Sequence, residues 1–267
     1  MCYRCGMNDE FQSVARKAAA ARDPMAMLDA IERACRREEG WKPSTLATVD
    51  GLPVRGWFRP GAPGGPVVYL SAGIHGDEEA GVAALTELCG EGEFDDRATW
   101  MLAPLVNPTG FAAGSRGNAG GVDLNRDYLS VATREVEGHT SWLRNLPAAG
   151  LVVSLHEDWE ANGFYLYEIN TGAVPGFAGE LVDVAAQHIL PEPADKIDGH
   201  STDAPGIIRH RPEADLPEEW PEAIWLASIW PHLSYTLETP SSFSLDRRVD
   251  CHKAVARAAL ARWLGGG

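Results

Sequence analysis

The segment Gly73-Ile74-His75-Gly76-Asp77-Glu78 sets an imidazole and a carboxylate three residues apart, directly after the apolar run Val67-Val68-Tyr69-Leu70-Ser71-Ala72. A hydrolytic zinc site takes three protein ligands and leaves one position open for water. His75 and Glu78 supply two ligands from one turn, so the third has to come from elsewhere. His156 is the candidate, because it follows a second apolar run, Leu151-Val152-Val153-Ser154-Leu155, and opens onto the polar Glu157-Asp158. Two neutral imidazoles and one carboxylate would leave a divalent cation with net positive charge, a strong Lewis acid. Each feature alone has a plainer alternative. A histidine at a strand end can be a hydrogen-bonded structural residue, and His-x-x-Glu also arises by chance.

Between these two half-sites lie Asn107-Pro108-Thr109-Gly110, Arg116-Gly117-Asn118 and Gly121-Val122-Asp123-Leu124-Asn125-Arg126-Asp127. Asn-Pro-x-Gly is an ordinary turn signal, and Arg116 can be a surface residue. The Val-Asp-Leu-Asn-Arg run is more informative. It interleaves polar and apolar side chains, and a buried charge is costly unless it is paired.

The elements that must position these residues follow from periodicity and turn signals. Residues 9–39 read as helical, with Asp23-Pro24 as an N-cap and first helical proline. Residues 45–58 read as a hairpin about Val49-Asp50-Gly51-Leu52. Strands are expected at 67–74, 99–106, 150–155, 163–169 and 232–237. Helices are expected near 78–89, 131–145, 176–188 and 244–264. A glycine-rich loop is expected over 110–121, and the Pro-, Asp- and Glu-rich stretch 191–222 reads as a long loop. The alternation predicts an α/β fold: one domain with a mixed, mostly parallel, twisted sheet flanked by helices. Residues 1–44 read as a helical extension packed on a catalytic domain of residues 45–267. In such sheets ligands sit beyond the carboxyl ends of strands, where His75, Glu78, His156 and Glu238 all fall.

The chain has 267 residues and a formal net charge of -15. That charge argues against a nucleic-acid surface, which needs a basic patch, and against anionic membranes. The five cysteines, Cys2, Cys5, Cys35, Cys89 and Cys251, suggest no disulfide framework. Cys2-x-x-Cys5 is half of a zinc-ribbon pattern with no second half. With no signal-peptide core and no long apolar run, a soluble cytoplasmic protein is the expectation.

Taken in order, His75-x-x-Glu78, Arg116, Asn125-Arg126, His156 and Glu238 resemble the M14 family of zinc carboxypeptidases. Gly121-Val122-Asp123-Leu124-Asn125-Arg126-Asp127 is similar to that family's G-V-D-x-N-R-N element, and Ser234-Tyr235-Thr236-Leu237-Glu238 to its strand ending in the catalytic glutamate. The resemblance runs from about residue 66 to the C-terminus. Leu155-His156-Glu157-Asp158-Trp159 and Gly163-Phe164-Tyr165-Leu166-Tyr167-Glu168 are similar to short bacterial members related to the rapid-encystment protein carboxypeptidase. The resemblance implies that His75, Glu78 and His156 bind one Zn2+ and that Glu238 is the general base. It implies that Arg116 stabilises the oxyanion and that Asn125 and Arg126 grip the substrate carboxylate. It also implies that Asp123 accepts a hydrogen bond from the free ring nitrogen of His75.

One departure concerns the substrate-contacting tyrosine these peptidases carry before the catalytic glutamate. Residues 198–234 contain no tyrosine, which leaves Trp220, Trp225, His200 or His210 as stand-ins, or the role vacant. The related acylases, of the aspartoacylase and succinylglutamate desuccinylase kind, share the His-x-x-Glu, Asp-Leu-Asn-Arg and His elements. Three readings therefore stay open. They are a carboxypeptidase acting on peptides, an amidohydrolase acting on N-acyl amino acids with a free carboxylate, and a non-catalytic binding domain. Glu238 argues against the last, since a binder has no need of a base. Glu213, Asp215, Glu218, Glu219 and Glu222 lie where the family builds its side-chain pocket. They predict a preference for basic residues if one points inward, or a solvated acidic loop if none does.

Overall fold

The structure, a computed structural model, describes residues 3–210 and 219–265. Two helices come first, α1 (Tyr3–Ala20) and α2 (Pro24–Cys35). Asp23 caps α2 by accepting a hydrogen bond from the Ala26 amide at 3.0 Å, with Pro24 in the first turn. The hairpin follows as β1 (Lys42–Val49) and β2 (Leu52–Arg59). Asp50 and Gly51 close it with φ of 50° and 81°, the double left-handed geometry of a tight type I′ turn. Then come β3 (Val67–Ala72), α3 (Glu79–Gly90), β4 (Thr99–Ala103), α4 (Pro108–Ala113), α5 (Arg134–Arg144), β5 (Leu151–Asp158), β6 (Tyr165–Asn170) and α6 (Ala178–Ala185). The last part contains β7 (Lys196–Ile197), β8 (His200–Ser201), β9 (Ile207–His210), α7 (Glu222–Ile229), β10 (Leu233–Pro240) and α8 (Leu245–Gly265).

Eight strands form one mixed sheet in the order β1-β2-β4-β3-β5-β10-β6-β9. The central strands β4, β3, β5 and β10 run parallel, and β2 and β6 join them antiparallel. The central strands are nearly continuous apolar runs because helices cover both faces. On one face, Leu70, Val153, Leu155 and Leu237 pack with residues of α2, α3, α6 and α8. On the other, Tyr69, Met101 and Val152 pack with Val136 and Leu143 of α5 and Trp225 and Leu226 of α7.

The structure departs from the expected elements in four places. Residues 191–222 are not one loop, because β7, β8 and β9 lie within them and β9 extends the sheet edge parallel to β6. Strands of two to four residues leave little periodicity to read. Helix α7 went unpredicted because its sequence, EAIWLASI, is apolar almost all round, so it has no amphipathic stripe. The glycine-rich stretch begins with the short helix α4, which Asn107 caps by accepting from the Gly110 amide at 2.8 Å. The expected strand 67–74 also stops early, at Ala72. Gly73 has φ 61°, a left-handed turn that suits glycine and takes the chain out of the sheet before His75.

Candidate active site

Four strand ends converge on one cavity of about 650 Å³. His75 and Glu78 stand on the turn between β3 and α3, and Glu78 is the residue that precedes the first turn of α3. The turn is held from below by Asn107, which is fully buried. Its amide Nδ2 donates to the carbonyls of Ile74 and Arg116, each at 3.3 Å. A Cβ on Gly76 would sit 2.0 Å from the Gly110 carbonyl carbon, so only glycine lets the two turns touch. An Asn-Pro-x-Gly that reads as an ordinary turn is thus the brace that brings Arg116 beside His75 and Glu78.

His156 lies on β5 and Glu238 on β10, and the two are direct neighbours in the parallel register. Side chains alternate across a strand, so Ser154 and His156 share a face with Thr236 and Glu238, while Glu157 turns to the opposite face. The Nδ1 of His75 lies 2.6 Å from Glu78 Oε1, and the Nδ1 of His156 lies 3.0 Å from Glu78 Oε2. One ligand atom from each of the three residues lies within 4.8 Å of the other two. His75 presents its other nitrogen, Nε2, to Asp123 Oδ1 at 3.2 Å. Asp123 also accepts from Arg116 Nε at 2.9 Å, so one carboxylate orients a candidate ligand and a cavity arginine.

The three residues fit a metal ion. Glu78 Oε2 is buried and has no hydrogen-bond donor. Although His156 Nδ1 is close enough for attraction, it is misaligned for a hydrogen bond. A buried carboxylate oxygen without a donor is costly, and a cation between these groups would satisfy it. Without a cation, protons take its place. Burial opposes a charged His75 ring, but the charge of Glu78 and hydrogen bonds with Asp123 and Glu78 outweigh it and raise His75 to about 9. Burial works against the charge on Glu78 as well, yet His75 and His156 hold it below the usual carboxylate range. Burial, reinforced by Glu78, Asp158 and Asp198 and opposed by His156, pushes Glu238 well above its ordinary value.

Asn125 and Arg126 line the same cavity, from a 3-10 turn at Leu124–Arg126. Leu124 anchors this turn in the core, and Asn125 and Arg126 are half-buried. The Asn125 Oδ1 accepts from the Glu222 amide at 2.9 Å, leaving its NH2 for other partners. The Val-Asp-Leu-Asn-Arg run is less buried than its sequence suggests, since Val122 is exposed.

Of the four candidates for the absent tyrosine, His200 and His210 reach the cavity. Trp225 is buried in the core and Trp220 packs against it. The same wall carries Tyr165 and Tyr167, with Tyr167 stacked on His210 at 5.1 Å and donating to Asp198 at 3.2 Å. Sequence reasoning did not single out these tyrosines for the site. Their Tyr-x-Tyr spacing on a strand beside β10 was the available signal. Glu213, Asp215 and Glu218 lie outside the described residues, as does Cys2. Glu219 is exposed at the cavity, and Glu222 is buried within its wall.

Residues 64–166 match the family model of the succinylglutamate desuccinylase/aspartoacylase catalytic domain. A search of curated proteins found no match. Among solved structures, the chain resembles a "putative metallopeptidase" from Shewanella denitrificans OS217, at 27% identity over 91% of each chain with a TM-score of 0.77. A protein of the same description from Shewanella baltica OS155 shares 26% identity over 90% of this chain and 92% of its own, with a TM-score of 0.79. A Pseudomonas aeruginosa metallo-carboxypeptidase, solved with (2-guanidinoethylmercapto)succinic acid, shares the fold at 19% identity, a TM-score of 0.64, and coverage of 90% of this chain and 69% of its own. These families and folds are those of hydrolases. The chain has the fold of the M14 metallocarboxypeptidases and is related to the succinylglutamate desuccinylase/aspartoacylase group.

Proposed function

We propose that this protein is a zinc-dependent carboxypeptidase that hydrolyses the amide bond next to a free terminal carboxylate of a peptide. The observation that carries the reading is the meeting, in one cavity, of the His75-Glu78-His156 group with Glu238, Arg116, Asn125 and Arg126. His75, Glu78 and His156 would hold the ion. When bound, a zinc ion supplies Lewis acidity and brings the pKa of a water towards neutrality.

The chain's own residues account for the rest. Arg126 presents a planar fork to the substrate carboxylate, and the free NH2 of Asn125 adds a second donor. This grip places the last amide bond between Arg116 and Glu238. Arg116 stabilises the negative charge that develops on the carbonyl oxygen. Glu238 takes a proton from the attacking water and delivers it to the departing amine. Burial raises its proton affinity, the direction that favours taking up the proton of the water. Asp123 fixes the tautomer of His75, so Nδ1 keeps its lone pair for the ion.

A second reading has its own support in the family-model match to the desuccinylase/aspartoacylase domain. In it the same groups cleave an N-acyl amino acid. The test is a side-by-side assay of zinc-loaded protein on short peptides and on N-acetyl and N-succinyl amino acids. Release of the C-terminal residue from peptides at a higher kcat/KM than from the acyl amino acids supports the peptidase. The reverse order favours the acylase, and no hydrolysis of either class refutes both.

A further inference from the structure

The residue that follows each of the three candidate ligands is held by one chain of charges on the far side of those ligands. Glu157 follows His156 and is turned to the other face of β5. It accepts from the Ala80 amide at 2.6 Å and from Arg248 Nη1. Arg248, on α8, is fixed by donating from Nε to the Phe243 carbonyl at 2.9 Å, and its Nη2 donates to Glu79 Oε1 at 3.1 Å. Glu79 follows Glu78, and its other oxygen accepts from Arg22 Nη2 at 2.9 Å. Arg22 closes the chain by donating from Nη1 to the carbonyl of Gly76, the residue after His75, at 2.9 Å. Glu157 and Arg248 are buried and Arg22 is half-buried. Charges alternate along the chain, so each buried member is paired.

The start of α3 shows what this arrangement does. The residue that precedes a helix commonly caps it, its side chain accepting from an amide of the first turn. Asp23, Asn107 and Thr133 do so for α2, α4 and α5. Phe177 and Pro221 cannot, and the first amides of α6 and α7 are met by Glu168 and Asn125 instead. Glu78 holds this position at α3 and carries a carboxylate, yet it makes no capping bond. Its two oxygens lie against the imidazoles of His75 and His156. Glu157 satisfies the Ala80 amide in its stead, from 77 residues away in the chain, and its charge suits the positive end of the helix. At the other end of the chain of charges, Arg22 holds a left-handed backbone with φ 51°. Residues other than glycine seldom adopt that conformation, and it persists only where the surroundings enforce it.

We propose that Glu157, fixed by Arg248, is a positioning residue for the metal site. It caps α3 in place of Glu78 and so leaves the Glu78 carboxylate to His75, His156 and the ion. Arg248, Glu79 and Arg22 carry the same restraint to the carbonyl of Gly76, which gives the turn between α1 and α2 a share in the site. The inference rests on His75, Glu78 and His156 as metal ligands and not on the identity of the substrate. With Glu157 removed, the Ala80 amide loses its acceptor, and Glu78, already at the capping position, is drawn to the helix and away from the ion.

Zinc affinity, measured by competition titration with a calibrated chelator, tests this without catalysis. Glu157→Ala should bind zinc about 10-fold to 100-fold more weakly than the parent. Glu87→Ala, which breaks the ion pairs near the other end of α3, should bind it as the parent does, so a loss through destabilisation alone is told apart from positioning. A loss below about tenfold in Glu157→Ala, or an equal loss in Glu87→Ala, overturns the proposal. Two further variants separate reach from charge, and they decide the matter if Glu157→Ala does not fold. Glu157→Gln keeps the full length and an acceptor oxygen, whereas Glu157→Asp keeps the charge but falls one methylene short of the Ala80 amide. Glu157→Gln should bind zinc about tenfold more tightly than Glu157→Asp; equal affinities or the reverse order overturn the proposal. A parent protein that binds no zinc refutes the metal site and this inference with it. A parent that binds zinc equally well whatever residue replaces Glu157 refutes the inference alone and leaves the site intact.

Discussion

Two buried carboxylates bracket helix α3, Glu78 immediately before its first turn and Glu87 in its last turn, and they live in opposite circumstances. Glu87, with its side chain fully buried, accepts from Arg16 at 2.7 Å and from Lys253 at 2.6 Å. Lys253 and Arg257 continue the network through Glu91, so α1, α3 and α8 are tied by charges that all have partners. Glu78, equally buried, faces two imidazoles and keeps one oxygen without a hydrogen-bond donor. Fully paired buried charge serves the fold, whereas a buried carboxylate left short of partners marks a place where something else binds. Glu238, which has no Lys or Arg partner within 4.0 Å among the described residues, lines the same cavity as Glu78.

The largest effect that could break this contrast is on chemistry. Glu238→Gln removes the only group assigned to proton transfer. It should lower kcat by about 10²-fold to 10⁴-fold while the protein still holds its metal; a loss of less than tenfold contradicts the role. Next comes stability. Glu87→Ala strands two cations and should cost about 3 kcal/mol, by the same amount with and without metal. Glu78→Ala should behave differently. With zinc at about 100 times its Kd the parent gains about 2.7 kcal/mol, and this variant should gain none. Urea unfolding of all three proteins with zinc and with chelator separates the cases. A zinc increment that survives Glu78→Ala would erase the distinction between the two ends of α3.

The same contrast explains how much was legible in the sequence. His75, Glu78, His156 and Glu238 could be placed together because each stands at or just beyond the carboxyl end of an apolar strand. Parallel register sets Glu238 beside His156, and the turn after β3, braced by Asn107, brings His75 and Glu78 to them. Tyr165, Tyr167 and Glu222 were harder. The tyrosines sit on a strand that reads as ordinary core, and only its antiparallel place beside β10 turns them to the cavity. Glu222 sits in an acidic stretch that reads as solvated, and its helix lacks the polar stripe that would have revealed it. Nor does any local signal show that Asn107 braces two distant turns, because the contact depends on two glycines meeting in space.

Two smaller effects sharpen the functional side. Arg126→Ala should reduce kcat/KM about 10-fold to 100-fold for substrates with a free terminal carboxylate and leave amidated analogues at their low parental rate; equal losses on both would remove Arg126 from the carboxylate grip. Metal affinity should also depend on pH. His75 must lose its proton to bind an ion, and without metal its pKa is raised to about 9. Below that value protons compete, so zinc affinity should rise by about tenfold per pH unit from pH 6 to 8 for that one proton. Competition titration with a calibrated chelator measures this, and an affinity independent of pH contradicts the assignment of His75.

The most direct test is to measure metal content and hydrolysis on one preparation. Parent protein should hold about one zinc per chain and release the last residue of a peptide with a free carboxylate. Chelation should abolish that release and re-addition of zinc should restore it, while His156→Ala should neither retain the metal nor hydrolyse. Undiminished hydrolysis after complete removal of metal, or a His156→Ala protein with full metal content and activity, would contradict the account.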